Sequence, residues 1–506
     1  MNTFMNALKN EANVTRTTNG AVAYKSTMNA VLDLFALGGA YRQRSEEDCI
    51  LLFRKAFAED PVYALKCLFY LRDVRGGQGE RRFFRVCMKD LASQNIEAAR
   101  RNLKHIPFYG RWDDLYIFVG TKLENEAFAF MKEQLALDVT CKTPSLLAKW
   151  LKSENTSSAA SRALAAKTRK AFGMTSRQYR KTLSILRERI NVLERLMSAG
   201  KWDKIEFDKI PSRAGMIYKN AFARHDIERM KNVEVQQSYQ DFAKDETTKV
   251  NAKVLYPYEV VSEVLKNDNY NWWSRSYKTV DETTRAMINK YWANLEDYFK
   301  GATLNALAVV DTSGSMVSSR PDAPINVAIS LGLYCAERAK GPFAGHYVSF
   351  SSRPKLIATE GIDFYDKVCR IYRTNLCENT NLEATFDMLL NTAVMNNCKQ
   401  EDLPETLLII SDMQIDEARG YYHSSSSKVE SDVEKYREKW ARYGYRMPKL
   451  VYWNVNASKD TILDKGPNVS YVSGCSPVIF EQILKGKSQI DLMKDKLDSE
   501  RYARVS

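Results

Sequence analysis

Asp311, Ser313 and Ser315 stand at alternate positions directly after the apolar run Leu307-Ala308-Val309-Val310. A turn leaving a strand can aim such a set, one carboxylate and two hydroxyls, at a single point, with Gly314 relaxing the backbone. Oxygen-only donors suit a hard divalent cation, Mg²⁺ first with Mn²⁺ or Ca²⁺ as alternatives, and do not suit zinc. Two later segments carry matching donors. Thr380 precedes a helical stretch from Leu382 to Asn396, and Asp412 follows the run Leu407-Leu408-Ile409-Ile410-Ser411. Open α/β sheets place their ligands at such strand ends. Read without a cation, Asp-Thr-Ser-Gly-Ser is a turn and helix cap, roles that favour the same residue types.

The elements that must position these residues lie between 303 and 486. Strands are expected at Leu304–Val310, Tyr347–Phe350, Thr406–Ile410, Lys449–Val455 and Ser470–Val472. They alternate with helices at Ile325–Ala339, Tyr365–Tyr372, Leu382–Asn396, Lys428–Tyr443 and Pro477–Leu484. Apolar runs without period-two alternation, separated by helices, predict a parallel sheet covered on both faces, a doubly wound α/β domain. The first three hundred residues read instead as helices of about 8–20 residues joined by short turns, among them Glu46–Ala58, Glu80–Ala92, Ile96–Leu103, Ser158–Phe172 and Ser176–Met197. Stacked helical pairs are expected there, although no internal repeat has a clear period. The expected organisation is a basic α-helical domain over 1–300, an α/β domain over 301–486 and a C-terminal helix or tail over 487–506.

Charge is divided along the same line. Residues 301–506 hold 25 Lys+Arg against 26 Asp+Glu, whereas residues 1–300 hold 50 against 36. Cationic excess confined to one domain points to a polyanionic partner for that domain. Nine cysteines without a C-x-x-C pair fit a reducing, cytoplasmic setting, and four scattered histidines offer no zinc site. No run of 18 apolar residues and no basic-then-apolar start occurs, so membrane insertion and Sec export are not expected. The chain has no Gly-x-Ser-x-Gly elbow, no His-Glu-x-x-His and no Walker A loop. No catalytic residue is assigned.

The densest basic stretch runs from Arg162 to Arg195, where Leu183, Leu186, Ile190, Leu193 and Met197 form an apolar stripe. Arg169, Lys170, Arg177, Arg180, Lys181 and Arg187 are the candidate phosphate-binding residues, because clustered cations attract phosphates; the resemblance given below would make that polyanion RNA. The plainer reading is a solvated helix surface. A second basic turn, Arg72 to Arg82, has glycines that could bare backbone N–H groups to a phosphate. A tight inter-helix turn is the better account of it, since no strand precedes it and no Gly-Lys-Ser/Thr ends it. Trp272-Trp273 and Tyr109-Gly110-Arg111-Trp112 could stack on bases or pack in a core.

The five positions Asp311, Ser313, Ser315, Thr380 and Asp412 resemble the metal-ion-dependent adhesion site (MIDAS) of von Willebrand A domains. That resemblance implies a bound divalent ion with one coordination position left for a partner's carboxylate, and a family that mostly binds and does not catalyse. Two departures stand out: Glu378-Asn379 before Thr380, and Met413-Gln414 after Asp412, where the pattern has glycines. Helices first and an A domain last resembles the Ro autoantigen, or TROVE, architecture. Local motifs resemble more closely a related family known only as a domain of unknown function: Arg72 to Arg81, Gly110-Arg111-Trp112-Asp113-Asp114-Leu115, Ala148-Lys149-Trp150-Leu151, Leu255 to Glu259 and Ile410 to Gln414. The TROVE resemblance implies a ring of HEAT-like repeats closed by the A domain, with RNA in the hole and on the basic outside, as a ribonucleoprotein.

A non-catalytic RNA-binding protein, with a divalent ion in its A domain for an acidic protein partner, is therefore the leading expectation. The alternatives are a metal-dependent protein–protein interaction scaffold without RNA and, lacking an evident general base, a Mg²⁺-dependent phosphoryl-transfer enzyme.

Overall fold

In the computed structural model, residues 3–267, 269–271, 276–278, 280–318, 320–350, 353–374, 381–416, 432–464, 466 and 468–506 are described. The chain forms two compact units, one from residues 1–67 and 255–499, the other from 68–254 and 500–506.

The first unit is built on one six-stranded sheet. Its strands are β1 (Ala306–Asp311), β2 (His346–Phe350), β3 (Leu356–Ala358), β4 (Thr406–Ser411), β5 (Lys449–Asn454) and β6 (Val469–Ser473), in the order β6-β5-β4-β1-β2-β3. All neighbours are parallel except β3, which runs antiparallel to β2 at the edge. Every residue of β1 is buried, which is why its sequence is an unbroken apolar run instead of an alternation. Helix Pro324–Arg338 packs on β1 so closely that a Cβ on Gly332 would collide with the Val310 side chain. Helix Pro257–Asn267 lies on that helix in turn. Because β1 is flanked by β2 on one side and β4 on the other, the winding reverses between β1 and β4, the point at whose carboxyl ends open α/β sheets bind their ligands.

The expected strands and helices of 303–486 are present within a few residues of the expected bounds. Lys428–Tyr443 is seen as Asp432–Arg442, its start lying outside the described residues. Sequence reading missed β3, only three residues long, and the N-terminal hairpin Val14–Arg16 with Val22–Tyr24. The compact units also divide the chain differently from a cut at residue 300, since residues 1–67 fold with the sheet. The cause is visible in helix Ala30–Leu37, apolar on nearly all sides and buried from Val31 to Leu37; such a helix needs cover all round and finds it against β6 and helix Gln489–Leu497. Its single acid, Asp33, is satisfied by Ser26, the Thr27 amide and the Thr27 hydroxyl.

The second unit is helical. Helices Arg81–Gln94 and Ile96–Leu103 pack together, as do Glu124–Thr140 and Ala159–Phe172. The helix expected over Ser176–Met197 stops at Arg189, where Asn191 takes φ +49° and the Val192 amide reaches back to the Arg187 carbonyl, a left-handed cap that Asn tolerates. The last residues of the chain belong to this unit. Arg501 pairs with Asp73, the Tyr502 hydroxyl donates to Asp73 at 3.0 Å, and the Tyr502 ring stacks on Tyr109 with centroids 5.5 Å apart. Among the described residues no helix is long and apolar enough to cross a membrane.

Candidate metal centre

Asp311 ends β1 and Asp412 follows β4, so the parallel pairing of these adjacent strands brings two carboxylates to the same end of the sheet although about a hundred residues separate them. Asp311 is 0% exposed and Asp412 3%. The Asp311 carboxylate accepts the Ser313 amide at 2.9 Å and the Ser411 hydroxyl at 2.5 Å. Ser313 and Ser315 face each other, hydroxyl to hydroxyl, at 3.1 Å, and Ser315 stands on the Asp412 side of the cluster, where its hydroxyl favours the ionised Asp412 carboxyl. Ser315 is exposed, so the cluster opens to solvent on that side. Four of the five residues expected from sequence therefore form one cluster. Thr380, with Glu378 and Asn379, lies outside the described residues.

Burial, and then the Asp412 charge, push the Asp311 carboxyl up to about 7. Burial raises Asp412 as well. Among the described residues neither acid forms an ion pair. Two buried carboxylates beside hydroxyls and without a basic side chain among the described residues are costly as ions, and a hard divalent ion is a species that such a donor set accommodates. The residues fit the group: Asp311, Ser313, Ser315 and Asp412 would hold it.

The loop after Asp412 is fixed from within. Met413 takes φ +63°, a conformation that favours glycine, which explains why the resemblance has glycine there. Here the buried Met413 is held by its amide on the Ser411 hydroxyl at 3.0 Å, while the Gln414 amide caps Asp412 at 3.1 Å. The N-terminal hairpin completes the rim: the Thr17 hydroxyl donates to the Ile415 carbonyl at 2.6 Å, the Thr18 amide to the Gln414 side chain at 2.9 Å, and the Asn19 amide group to the Gln414 carbonyl at 2.7 Å. Sequence reading gave these residues no role, and no local pattern announces a contact spanning about four hundred positions.

In the helical unit the six candidate cations separate into three kinds. Lys170, Arg177 and Lys181 are exposed and form no ion pair among the described residues. Arg180 is exposed near Glu154, while Arg169 pairs with the same Glu154 at 2.8 Å. Arg187 turns inward, donating to the Ala148 and Leu151 carbonyls and the Ser153 hydroxyl, each at 2.8 Å. It staples the 148–153 segment to its helix, and burial lowers its pKa. The Arg72–Arg82 turn is the tight inter-helix turn: Gly77 has no room for a Cβ beside the Tyr70 carbonyl, and Asp73 is occupied by the C-terminal residues. Tyr109 is buried in the core, and the half-buried Trp112 packs against the half-buried Phe130. Trp272-Trp273 lie outside the described residues.

Comparison with known proteins places the whole chain. Residues 17–143 and 134–302 match the family described as Domain of unknown function (DUF2828), and residues 305–504 match Domain of unknown function (DUF7788). A relative, "Uncharacterized protein L728" of Acanthamoeba polyphaga mimivirus, is 31% identical over 486 residues, which cover 89% of this chain and 81% of the relative. Among solved structures, the crystal structure of the Deinococcus radiodurans RO (RSR) protein aligns over 91% of this chain and 100% of its own, at 13% identity and a TM-score of 0.46. With more than half of its length matched and a relative this similar, the chain belongs to the DUF2828 family, its last part matching the DUF7788 domain.

Proposed function

We propose that this protein binds RNA without catalysis, through the basic helical part, and that its α/β part is a von Willebrand A domain holding a divalent ion at Asp311, Ser313, Ser315 and Asp412. Thr380 completes the donor set in this reading. The observation that carries the RNA reading is the cationic excess of the first three hundred residues, with Lys170, Arg177 and Lys181 exposed on consecutive helices and free of ion pairs among the described residues. The resemblance of the domain order, helices first and an A domain last, to the TROVE architecture supports the same reading. An ion at the carboxyl ends of β1 and β4 would offer a coordination position to an acidic protein partner. Its most suitable identity is Mg²⁺, given all-oxygen donors and two acids.

The test is binding of a labelled single-stranded RNA by the purified full chain across a salt series. The reading expects log affinity to fall linearly with log salt, by about 0.7 per neutralised phosphate. No binding at low salt would refute it. Capture of a protein partner that is lost on chelation, yet indifferent to nuclease, would favour the scaffold reading, which the paired buried acids also support.

A further inference from the structure

Three motifs, separated in sequence and silent about chemistry on their own, meet at one place in the helical unit. Arg72 and Arg81 come from the first, Arg111, Asp113 and Asp114 from the second, and Lys149-Trp150 from the third. Asp114, fully buried, accepts Arg72 at 2.6 Å, Arg81 at 3.1 Å and Arg85 at 3.0 Å. Asp113 accepts Arg81 at 2.5 Å and faces Lys152 at 3.7 Å. Arg111 lies over the Trp150 ring at 4.1 Å, and its Nε stands 3.2 Å from Asp113 Oδ1 but off the line of a hydrogen bond, so both buried atoms lack one.

Five cations thus converge on two carboxylates, and the seven groups sum to +3. Arg72 is sealed inside, whereas the side chains of Arg81, Arg85, Arg111 and Lys152 keep between 27% and 36% exposure. Unbalanced charge raises the cost of an ion-pair network away from solvent. This one holds two more guanidinium groups than it has acids, with Lys152 in addition, and burial with mutual repulsion lowers the Arg85 and Arg111 pKa values. Guanidinium forks held by shared acids are oriented before any ligand arrives, which is how phosphate oxygens are best recognised.

We infer that the half-open cluster of Arg81, Arg85, Arg111 and Lys152 around Asp113 and Asp114 is a phosphate-group site. Its ligand is a backbone phosphate of single-stranded RNA; that source rests on the function proposed above, while the phosphate chemistry does not.

The experiment uses the full chain, wild type and two variants, Lys152→Gln and Arg81→Gln. Lys152→Gln removes the cation least engaged in structure. In one arm, binding of a single-stranded oligoribonucleotide is followed against salt. Each variant should shallow the log–log slope by about 0.7 and weaken binding about fivefold at 0.1 M salt. In the other arm, melting is compared in inorganic phosphate and in chloride of equal ionic strength. Wild type should be stabilised by phosphate and both variants should not. RNA binding with unchanged slope in both variants, together with equal phosphate stabilisation, overturns the site and leaves the RNA reading standing. Phosphate stabilisation lost in the variants, with no RNA binding by wild type, supports the site and refutes the RNA reading.

Discussion

Replacing Asp311 with asparagine should stabilise the metal-free protein at alkaline pH, the reverse of what removal of a buried, hydrogen-bonded acid usually does. Asparagine keeps the shape and can still accept the Ser313 amide while donating to the Ser411 oxygen, so the lost quantity is charge. The folded carboxyl titrates at about 7 against an ordinary value of 3.8, a rise of about three pKa units at a fully buried group, or about 4 kcal/mol. Because the folded value is raised, the protonated acid's contribution is complete below the unfolded pKa near 4 and is lost as pH climbs through about 7. Between pH 5 and pH 8 the wild type should therefore lose about 3 kcal/mol that the variant does not. Urea denaturation in chelator at the two pH values measures this. Equal pH dependence in wild type and Asp311→Asn would show that the acid is not buried beside Asp412 as described.

Other consequences are independent of the metal. Asp114→Asn leaves Arg72 buried without its counter-charge and should cost about 3–5 kcal/mol in urea denaturation. The Arg72 charge and its hydrogen bond outweigh burial and hold the Asp114 carboxyl below its usual range, so this contribution is present above about pH 4 and fades as pH falls further. Gly332→Ala should cost about 1–3 kcal/mol by overpacking against Val310, and Val310→Ala in the same chain should recover part of the loss in melting temperature. Converting Lys170, Arg177 and Lys181 together to glutamine should reduce the salt slope of RNA binding by up to about 2 without changing the circular dichroism spectrum, whereas Arg187→Gln should lower the melting temperature because its donors serve the 148–153 segment.

The sheet was legible because buried parallel strands are continuous apolar runs, and β1, β4 and β5 are such runs bounded by polar turns. Donors at the ends of two such runs, together with the adhesion-site resemblance, group Asp311, Ser313, Ser315 and Asp412 in the sequence. β3 escaped notice because an edge strand of three residues, two of them exposed, carries no period. The role of residues 14–24 escaped because hydrogen bonds from Thr17, Thr18 and Asn19 to the 414–415 loop depend on tertiary approach alone. Arg187 shows the limit of charge density as a guide. Counting cations cannot tell a guanidinium that faces solvent from one that satisfies three internal acceptors, because both look alike in sequence. The same holds for Asp113 and Asp114, two ordinary acids in a helix start until the fold gathers Arg72, Arg81 and Arg85 around them.

Titrating Mg²⁺ or Mn²⁺ into the chelator-stripped chain at pH 8, with calorimetric detection, bears most directly on the α/β part of the account. A single ion should bind per chain, and Asp311→Asn and Asp412→Asn should each abolish the heat while the sheet stays folded. Binding that survives both substitutions, or no heat from the wild type, would contradict the assignment of these side chains to a cation.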